Sequence, residues 1–293
     1  MFGLFFICSF APGNFFVETM VRLSVCLVFV FLGIFCALSE DFADRAAFLL
    51  RGPVVESAAV SGDDSVVFSA SGRLLALNGK NLPNADVVRS EGYIVALQGS
   101  VFDYDGGCLM WRIDDGEERK VVYGYDEEGS LLVAEEFYED ELNYRYVYFD
   151  ILEDTYGNWL RRKVLAVTPD GVEWINEESR TIKYAKSVSR NTRLKRSSAE
   201  LLSEIGGVWS LVSGTYYVPE MEVKLEFLPN SRCLWTEEGV RERYSVSLVR
   251  DSEIYWLVIG DCEWVFRAVC SGEYLFLYST CNLASEPQLI LRR

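Results

Sequence analysis

The spacing of apolar residues along the chain changes several times. Residues 1–39 form a charge-poor block that contains an uncharged apolar run from Leu23 to Leu38. Residues 40–52 repeat apolar side chains at helical spacing, which predicts a short helix. From about residue 54 to residue 184 the apolar period becomes two, and short alternating segments return after residue 200. The pattern predicts an all-β chain with an N-terminal apolar signal or anchor helix.

Residues 40–184 contain strand-like segments separated by Gly- and Asp-rich turns such as Asp105-Gly106-Gly107 and Asp115-Gly116. Short alternating runs joined by tight turns are typical of neighbouring antiparallel strands. We therefore expect an antiparallel β-meander module over residues 40–184. The clearest predicted strands run from Phe68 to Leu74, from Tyr93 to Leu97, from Cys108 to Ile113 and from Tyr144 to Tyr148.

A loose repeat runs through this module, in which an aromatic residue is followed four residues later by Gly and then by an apolar residue. It occurs at Phe68/Gly72/Leu74 and at Tyr125/Gly129/Leu131, with a less regular version at Tyr156-Gly157-Asn158-Trp159. The stretch Tyr123-x-Tyr125-Asp126-x-x-Gly129-x-Leu131 resembles the tyrosine-aspartate (YD-type) repeats of bacterial surface and secreted proteins. Ordinary hairpins without repeat ancestry are the alternative, because Asp and Gly favour tight reversals in any sheet.

The C-terminal part begins with a capping box, Ser197-x-x-Glu200, which predicts a helix over 198–205 that ends at Gly206-Gly207. Alternation is clear in Met221–Phe227, where Val, Leu and Phe share one face and Glu and Lys the other. Eight short strands with one apolar face each can close into an up-and-down barrel, here over residues 201–293. The predicted strands are 208–214, 221–228, 231–237, 240–249, 253–259, 262–270, 273–279 and 288–292.

The short helix followed by Gly207-Val208-Trp209 resembles the start of a lipocalin-like domain. That resemblance implies a small eight-stranded barrel that can hold an apolar ligand. The strands are short and the helix that normally follows a lipocalin barrel is missing, so the interior is either a filled core or a pocket. The residues that would form the core or contact the ligand are Trp209, Phe227, Trp235 and Trp264.

The formal charge of −16 is unevenly distributed. Residues 40–179 carry a net charge of −17, residues 180–196 carry +7, and residues 197–293 carry −6. Acidic modules disfavour nucleic-acid binding, because binding to phosphates needs Lys and Arg. We interpret residues 185–200 as a basic linker between the two modules. The alternative is an electrostatic contact of this segment with anionic lipid or with the acidic first module.

The N-terminal block has the layout of an export signal: the basic end at Arg22, an apolar run, and small residues near Ala37 and Ser39. An uncleaved anchor or a lipid-modified Cys36 is the alternative. Residues before Met20 fit no signal, so Met20 is a candidate for the true start. The expected location is the periplasm or cell envelope, with membrane association through residues 1–39.

In an exported chain, cysteines can pair. If Ser271-Gly272 is a two-residue hairpin turn, Cys262 lies directly opposite Cys281, at a Cα separation of about 5.5 Å that a disulfide can span. The sequence therefore predicts a Cys262–Cys281 disulfide. Cys108, Cys233 and Cys270 receive no partner.

The chain contains no histidine, which excludes Ser-His-Asp and Cys-His nucleophile systems and His-based zinc sites. The acidic runs 114–118, 126–128 and 135–136 read as solvated turns and faces, and Asp103-x-Asp105-Gly106 is too short for an EF-hand loop. No catalytic, cofactor-binding or metal-ligating residue is assigned.

The favoured function is a non-enzymatic, exported bacterial cell-envelope protein that binds or structurally supports a partner. The expected partner is an unidentified protein or a small apolar ligand, and nucleic acid is not expected. The first alternative is a carrier that holds a small hydrophobic ligand in the C-terminal barrel. The second is a hydrolase that uses a converging pair of carboxylates.

Overall fold

The computed structural model describes residues 40–60, 65–83, 86–114, 118–185, 191–215, 221–260, 264–280 and 286–293. The predicted leader, residues 1–39, lies outside the described residues. Among the helices of the described ranges, none is both long and apolar enough to cross a membrane. The chain forms a 14-stranded sheet followed by a closed barrel of eight strands, which confirms the all-β class.

A 3-10 helix, Glu40–Phe48, precedes the sheet. Strands β5 to β13 follow one another as an antiparallel meander, as predicted. Strand β1 attaches to the free edge of β13, so β1–β4 extend the sheet beyond its last meander strand. The sheet strands are β1 (Val54–Ala59), β2 (Ser65–Phe68), β3 (Leu74–Leu77), β4 (Lys80–Asn81), β5 (Val87–Ser90), β6 (Tyr93–Leu97), β7 (Ser100–Asp105), β8 (Cys108–Ile113), β9 (Arg119–Tyr125), β10 (Leu131–Tyr138), β11 (Glu141–Glu153), β12 (Trp159–Thr168), β13 (Gly171–Tyr184) and β14 (Arg193–Lys195).

The sheet curls around the 3-10 helix, because apolar residues from both of its ends pack into one cluster with residues of that helix. Asp44 of the helix is buried and accepts a hydrogen bond from the backbone N–H of Leu74 in β3 at 2.8 Å. The same carboxylate pairs with Arg89 in β5 at 2.7 Å. One side chain thus links the two ends of the sheet, and we call the concave side of the curl the inner face.

The loose aromatic–Gly repeat corresponds to one turn that the sheet uses repeatedly. In the β9–β10 hairpin, the Asp126 carboxylate accepts backbone N–H bonds from Glu128 and Ser130, and the N–H of Gly129 bonds to the Asp126 carbonyl. Asp154 makes the same set of bonds in the β11–β12 hairpin. Gly129 and Gly157 occupy the left-handed position of each turn, with φ of 76° and 79°.

The segment from Phe68 to Leu74, which the sequence predicts as one strand, contains a third turn of this kind. The N–H of Ser69 bonds to the carbonyl of Arg73 at 2.8 Å, and Gly72 has a φ of 96°. The prediction of a continuous strand is therefore wrong, since the chain reverses here between β2 and β3. The predicted strands at Tyr93–Leu97, at Cys108–Ile113 and within Glu141–Glu153 are confirmed.

The second half of the basic segment lies on the sheet. Strand β14 pairs with β11, and Lys195 forms ion pairs with Glu128 at 2.7 Å and with Glu153 at 3.4 Å. These ion pairs are an electrostatic contact with the acidic first module, which the sequence analysis gave as one alternative to a linker. Composition alone favoured the linker, because the partner carboxylates are distant in sequence.

Helix α1 (Ser198–Glu204) follows directly, with Ser197 as the N-cap that accepts the N–H of Glu200 at 3.4 Å, as the capping box predicts. The barrel strands then begin and end within two residues of their predicted positions. They are β15 (Gly207–Gly214), β16 (Val223–Leu228), β17 (Arg232–Glu237), β18 (Val240–Asp251), β19 (Ile254–Ile259), β20 (Trp264–Ser271), β21 (Tyr274–Ser279) and β22 (Leu289–Arg292).

Sheet and barrel share a buried interface. Val147, Phe149 and Leu165 of the sheet pack against Val249, Trp256 and Val258 of the barrel. Beside this cluster, Arg145 in β11 makes a two-pronged ion pair with Asp251 in β18, at 2.8 and 2.6 Å. The two modules are therefore packed together through apolar side chains and charge-assisted hydrogen bonds.

The register of the β20–β21 hairpin differs from the predicted one. Ser271 opposes Tyr274, so the two-residue turn is Gly272-Glu273 rather than Ser271-Gly272. The predicted turn would place Phe266 opposite Leu277, whereas it lies opposite Ser279. The register argument for a Cys262–Cys281 disulfide is therefore wrong. Both cysteines lie outside the described residues, and the free thiols in the described ranges are Cys108, Cys233 and Cys270.

These thiols should differ in reactivity. Cys233 is fully buried in the barrel, and burial raises its pKa to about 11, whereas Cys270 is exposed. Since the thiolate is the reactive form, we expect iodoacetamide at pH 8 to modify Cys270 in the folded protein and Cys233 only after unfolding. Peptide mapping of native and urea-treated samples measures this. Equal labelling of both thiols in the native sample would contradict the filled barrel core.

Candidate functional site

The barrel interior is filled at the end next to helix α1. Trp209 is fully buried, and its indole N–H donates to the carbonyl of Ile205 at 2.8 Å. The Arg293 guanidinium lies over the same ring, 4.5 Å from its centroid. Phe227 belongs to this cluster, together with Leu202 of the helix. Trp209 and Phe227, two of the four aromatic residues predicted as core or ligand contacts, thus form packed core at this end, and Trp235 is buried in the same cluster.

The other two, Trp235 and Trp264, border a cavity of about 550 Å³ at the opposite end of the barrel, a volume typical of small-molecule sites. The Trp264 ring lies 5.6 Å from that of Trp235 and 4.9 Å from that of Tyr244, the latter edge-on. We call this cavity the barrel cup. It is lined by Trp235, Glu237, Glu238, Val240, Glu242, Tyr244, Trp264, Phe266, Gln288 and Leu289.

The β17–β18 hairpin supplies one wall of the cup because of its register. Glu237 opposes Val240 and Trp235 opposes Glu242, so a two-residue turn of Glu238-Gly239 joins the strands. Both turn residues have positive φ, 48° and 83°, the conformation of a type I′ hairpin. Alternate residues of each strand then point to one side, which brings Trp235 and Glu237 together with Glu242 and Tyr244.

The cup is acidic. Three of the described lining residues are Glu, and none is Lys or Arg. The indole N–H of Trp235 donates to the Glu237 carboxylate at 3.3 Å, and the Tyr244 hydroxyl hydrogen-bonds to Glu242. These bonds hold the carboxylates beside the aromatic rings. Each carboxylate retains further acceptor positions, because an ionised carboxyl offers about four.

Sequence reasoning selected the tryptophans of the cup and missed the polar residues beside them. The period-two alternation that selects Trp235 also applies to Glu237, which lies two residues further along β17. It applies equally to Glu242 and Tyr244, which lie two residues apart on the neighbouring strand β18. The missing information was the hairpin register, which decides that both pairs face inward. Alternation along Val223–Leu228 and along β20 is confirmed, with Phe266 and Ala268 buried on the same side as Trp264.

Two carboxylates from the acidic runs of the sheet, Asp114 and Glu136, enter ion pairs on its inner face. Arg119 bridges Asp114 at 3.2 Å and Glu136 at 2.8 Å, so two carboxylates approach each other through a shared guanidinium. Both carboxylates are thus engaged in structural pairs rather than open to a substrate. Asp103 and Asp105 are exposed on β7. In the described part of the chain, no group of three or more Asp, Glu or Cys side chains could hold a metal ion.

Comparison of the chain with protein-family models, with curated proteins and with solved structures gives no match.

Proposed function

We propose that this chain is a non-enzymatic binding protein that takes a small ligand into the barrel cup. The observation that supports the proposal is a cavity of ligand size with aromatic walls and a carboxylate rim. The barrel interior is a packed core at the end next to helix α1 and open volume at the end with the cup. The packed end supports the strands that form the walls of the cup.

The proposed ligand carries a positive charge on an apolar body. Aromatic rings attract cations through their negative faces, and three carboxylates add attraction without any opposing Lys or Arg among the described lining residues. The acidic charge of the whole chain acts in the same direction at longer range. A neutral hydrophobic ligand would leave the negative charge of the carboxylates unused, and an anion would be repelled.

A lipocalin-like architecture is part of the proposal. Helix α1 against one end of the barrel, the Gly207-Val208-Trp209 strand start and the closed eight-stranded order support it. The apolar leader supports export to the cell envelope, with the sheet as a second interaction surface. Mass spectrometry of the native N-terminus tests the leader: a peptide that covers residues 2–19 would rule out a start at Met20.

The ligand class can be tested with a charged probe and its uncharged isostere. We expect 4-hydroxyphenyltrimethylammonium to bind about tenfold more tightly than 4-tert-butylphenol, a difference of about 1.4 kcal/mol that is within the range of cation–aromatic attraction. Quenching of tryptophan fluorescence and calorimetry measure both affinities. Trp264→Ala should weaken ammonium binding by about tenfold, since the exposed ring forms one wall of the cup.

Glu242→Gln should weaken ammonium binding at low salt, and the loss should shrink as the ionic strength rises. Glu226→Gln is the matched control, because Glu226 lies on the outer side of β16 and does not line the cup. Equal affinity for the two probes would show that the cup does not recognise the positive charge, and would favour a neutral ligand over a cationic one. Absence of binding by either probe would refute the barrel cup as a ligand site.

A further inference from the structure

A second cavity lies on the inner face of the sheet, in the module that does not contain the barrel cup. Its volume is about 630 Å³, and residues of the 3-10 helix, of β1–β3, of β6–β8 and of β12–β13 line it. Unlike the barrel cup, it contains three arginines, Arg112, Arg162 and Arg180, with Glu178 as the acidic residue among its described lining. The hydroxyl-bearing side chains of Ser57 and Ser65 also line it.

Two of these arginines have a carboxylate partner. Arg112 pairs with Asp114 at 2.9 Å, and Arg162 pairs with Glu178 at 2.7 Å. The next arginine along the inner face, Arg119, is likewise paired with Glu136. Arg180 makes no ion pair with any described residue. Arg180 therefore has no ion-pair partner among the described residues, and the carboxylates of Asp154 and Glu178 act on it only from beyond ion-pair distance.

The guanidinium of Arg180 is held in place but incompletely bonded. Its Nε donates to the carbonyl of Trp159 at 2.7 Å, and its Cζ lies 4.1 Å from the centroid of the Trp159 ring. The residue as a whole is partly exposed, yet its Nη2 is shielded from solvent and has no hydrogen-bond acceptor among the described residues. Arg162 packs over the same ring at 4.1 Å, so two cations share one aromatic side chain.

Such an arrangement costs free energy in the folded protein. A largely buried cation without an ion-pair partner loses hydration that one hydrogen bond to Trp159 replaces only in part, and a second cation beside it adds repulsion. Burial and, to a smaller extent, the neighbouring Arg162 lower the pKa of Arg180 to about 9, so the group remains protonated at neutral pH. A negatively charged ligand would supply both the missing acceptor and the missing charge.

We propose that the inner-face cavity binds an oxyanion, a phosphate or carboxylate group, on the guanidinium of Arg180. The two Nη groups are the free end of a planar fork that matches two oxygens of such a group, and Nε is already used by Trp159. Arg162 adds positive charge next to the site, and the serines on β1 and β2 offer hydroxyl donors. This site is independent of the barrel cup and takes ligands of the opposite charge.

The full chain can be tested by calorimetric titration with inorganic phosphate and, separately, with succinate, each against sodium chloride at equal ionic strength. The oxyanion that binds more tightly identifies the ligand group. Arg180→Met should weaken its binding by about tenfold or more, because the bidentate charged contact is lost. Arg161→Met is the matched control, since Arg161 is exposed on the neighbouring strand β12, opposite Ser179, and lines no described cavity. The oxyanion affinity of this variant should stay within about twofold of the parent value.

Thermal unfolding separates a ligand site from a structural role. If Arg180 binds the ligand and has no structural role, Arg180→Met should have the melting temperature of the parent chain in chloride. The variant should lose only the increase in melting temperature that the oxyanion produces in the parent chain. Arg180→Lys, which keeps the charge but lacks the fork, should retain weakened binding if the variant with Met does not fold. The proposal is overturned if neither oxyanion binds the parent chain, or if Arg180→Met and Arg161→Met bind equally well.

Discussion

Replacement of Trp209 by alanine is expected to lower the free energy of unfolding by about 4 kcal/mol, within the range for aromatic-to-alanine changes in protein cores. The side chain is 0% exposed, and its indole fills the space between helix α1 and the inner sides of the first barrel strands. Its N–H bond to the Ile205 carbonyl would be lost as well. Urea unfolding followed by circular dichroism measures the change.

Val208→Ala is the matched control for Trp209→Ala, because Val208 is the next residue on β15 and is 46% exposed. A surface substitution of this kind should change the free energy of unfolding by no more than about 0.5 kcal/mol. Similar losses for the two variants would show that the helix end of the barrel is not a packed core.

Arg196→Met is expected to destabilise the protein by about 3 kcal/mol through the junction of sheet and barrel. The guanidinium of Arg196 donates to the carbonyls of Leu132 and Tyr148 in the sheet and of Arg250 in the barrel, at 3.1, 2.6 and 2.6 Å. Methionine has a similar stem but no donor, so three carbonyls at the junction lose their charged partner. Near-ultraviolet circular dichroism and fluorescence should then report two separate transitions in urea rather than one.

The matched control for Arg196→Met is Arg193→Met. Arg193 is exposed and pairs with Glu128, which is also exposed, so its loss should cost no more than about 1 kcal/mol. A single transition in Arg196→Met at the urea midpoint of the parent chain would show that the three hydrogen bonds contribute nothing to the coupling of the modules.

Local patterns were sufficient to predict the barrel, because most of its strands are joined by turns of two to four residues and each presents one apolar face. The alternation of Val223, Leu225 and Phe227 gives both the strand and its buried side. The pattern was insufficient at the β20–β21 turn, where Gly272 has a φ of 60° and can occupy either central position of a two-residue turn. When the turn shifts by one residue, the partner of every residue on the opposite strand changes by two positions.

The candidate sites depend on contacts between residues that are distant in sequence. The register of the β17–β18 hairpin places Tyr244 and Glu242 in the cup. Arg180 lines a cavity together with residues of β1 because β1 pairs with β13. Basic composition could mark Arg180 and Arg196 as cations but could not show that Arg180 lacks an ion-pair partner or that Arg196 binds backbone carbonyls. Those properties follow from burial, which single-residue patterns do not specify.

The attachment of β1 to β13 also bears on the order in which the protein folds. Val54 pairs with Tyr184, whereas β5 to β12 pair with their immediate neighbours in the chain, with the short strand β14 as a further partner of β11. Contacts that close a long loop form late, because the chain entropy lost is large before the contact is gained. We expect the hairpins of β1–β4 and those of the central sheet to form early, and β1 to lack its partner β13 until β13 has been synthesised. During that interval the edge of β1 that later pairs with β13 is open, and an open strand edge exposes the chain to aggregation.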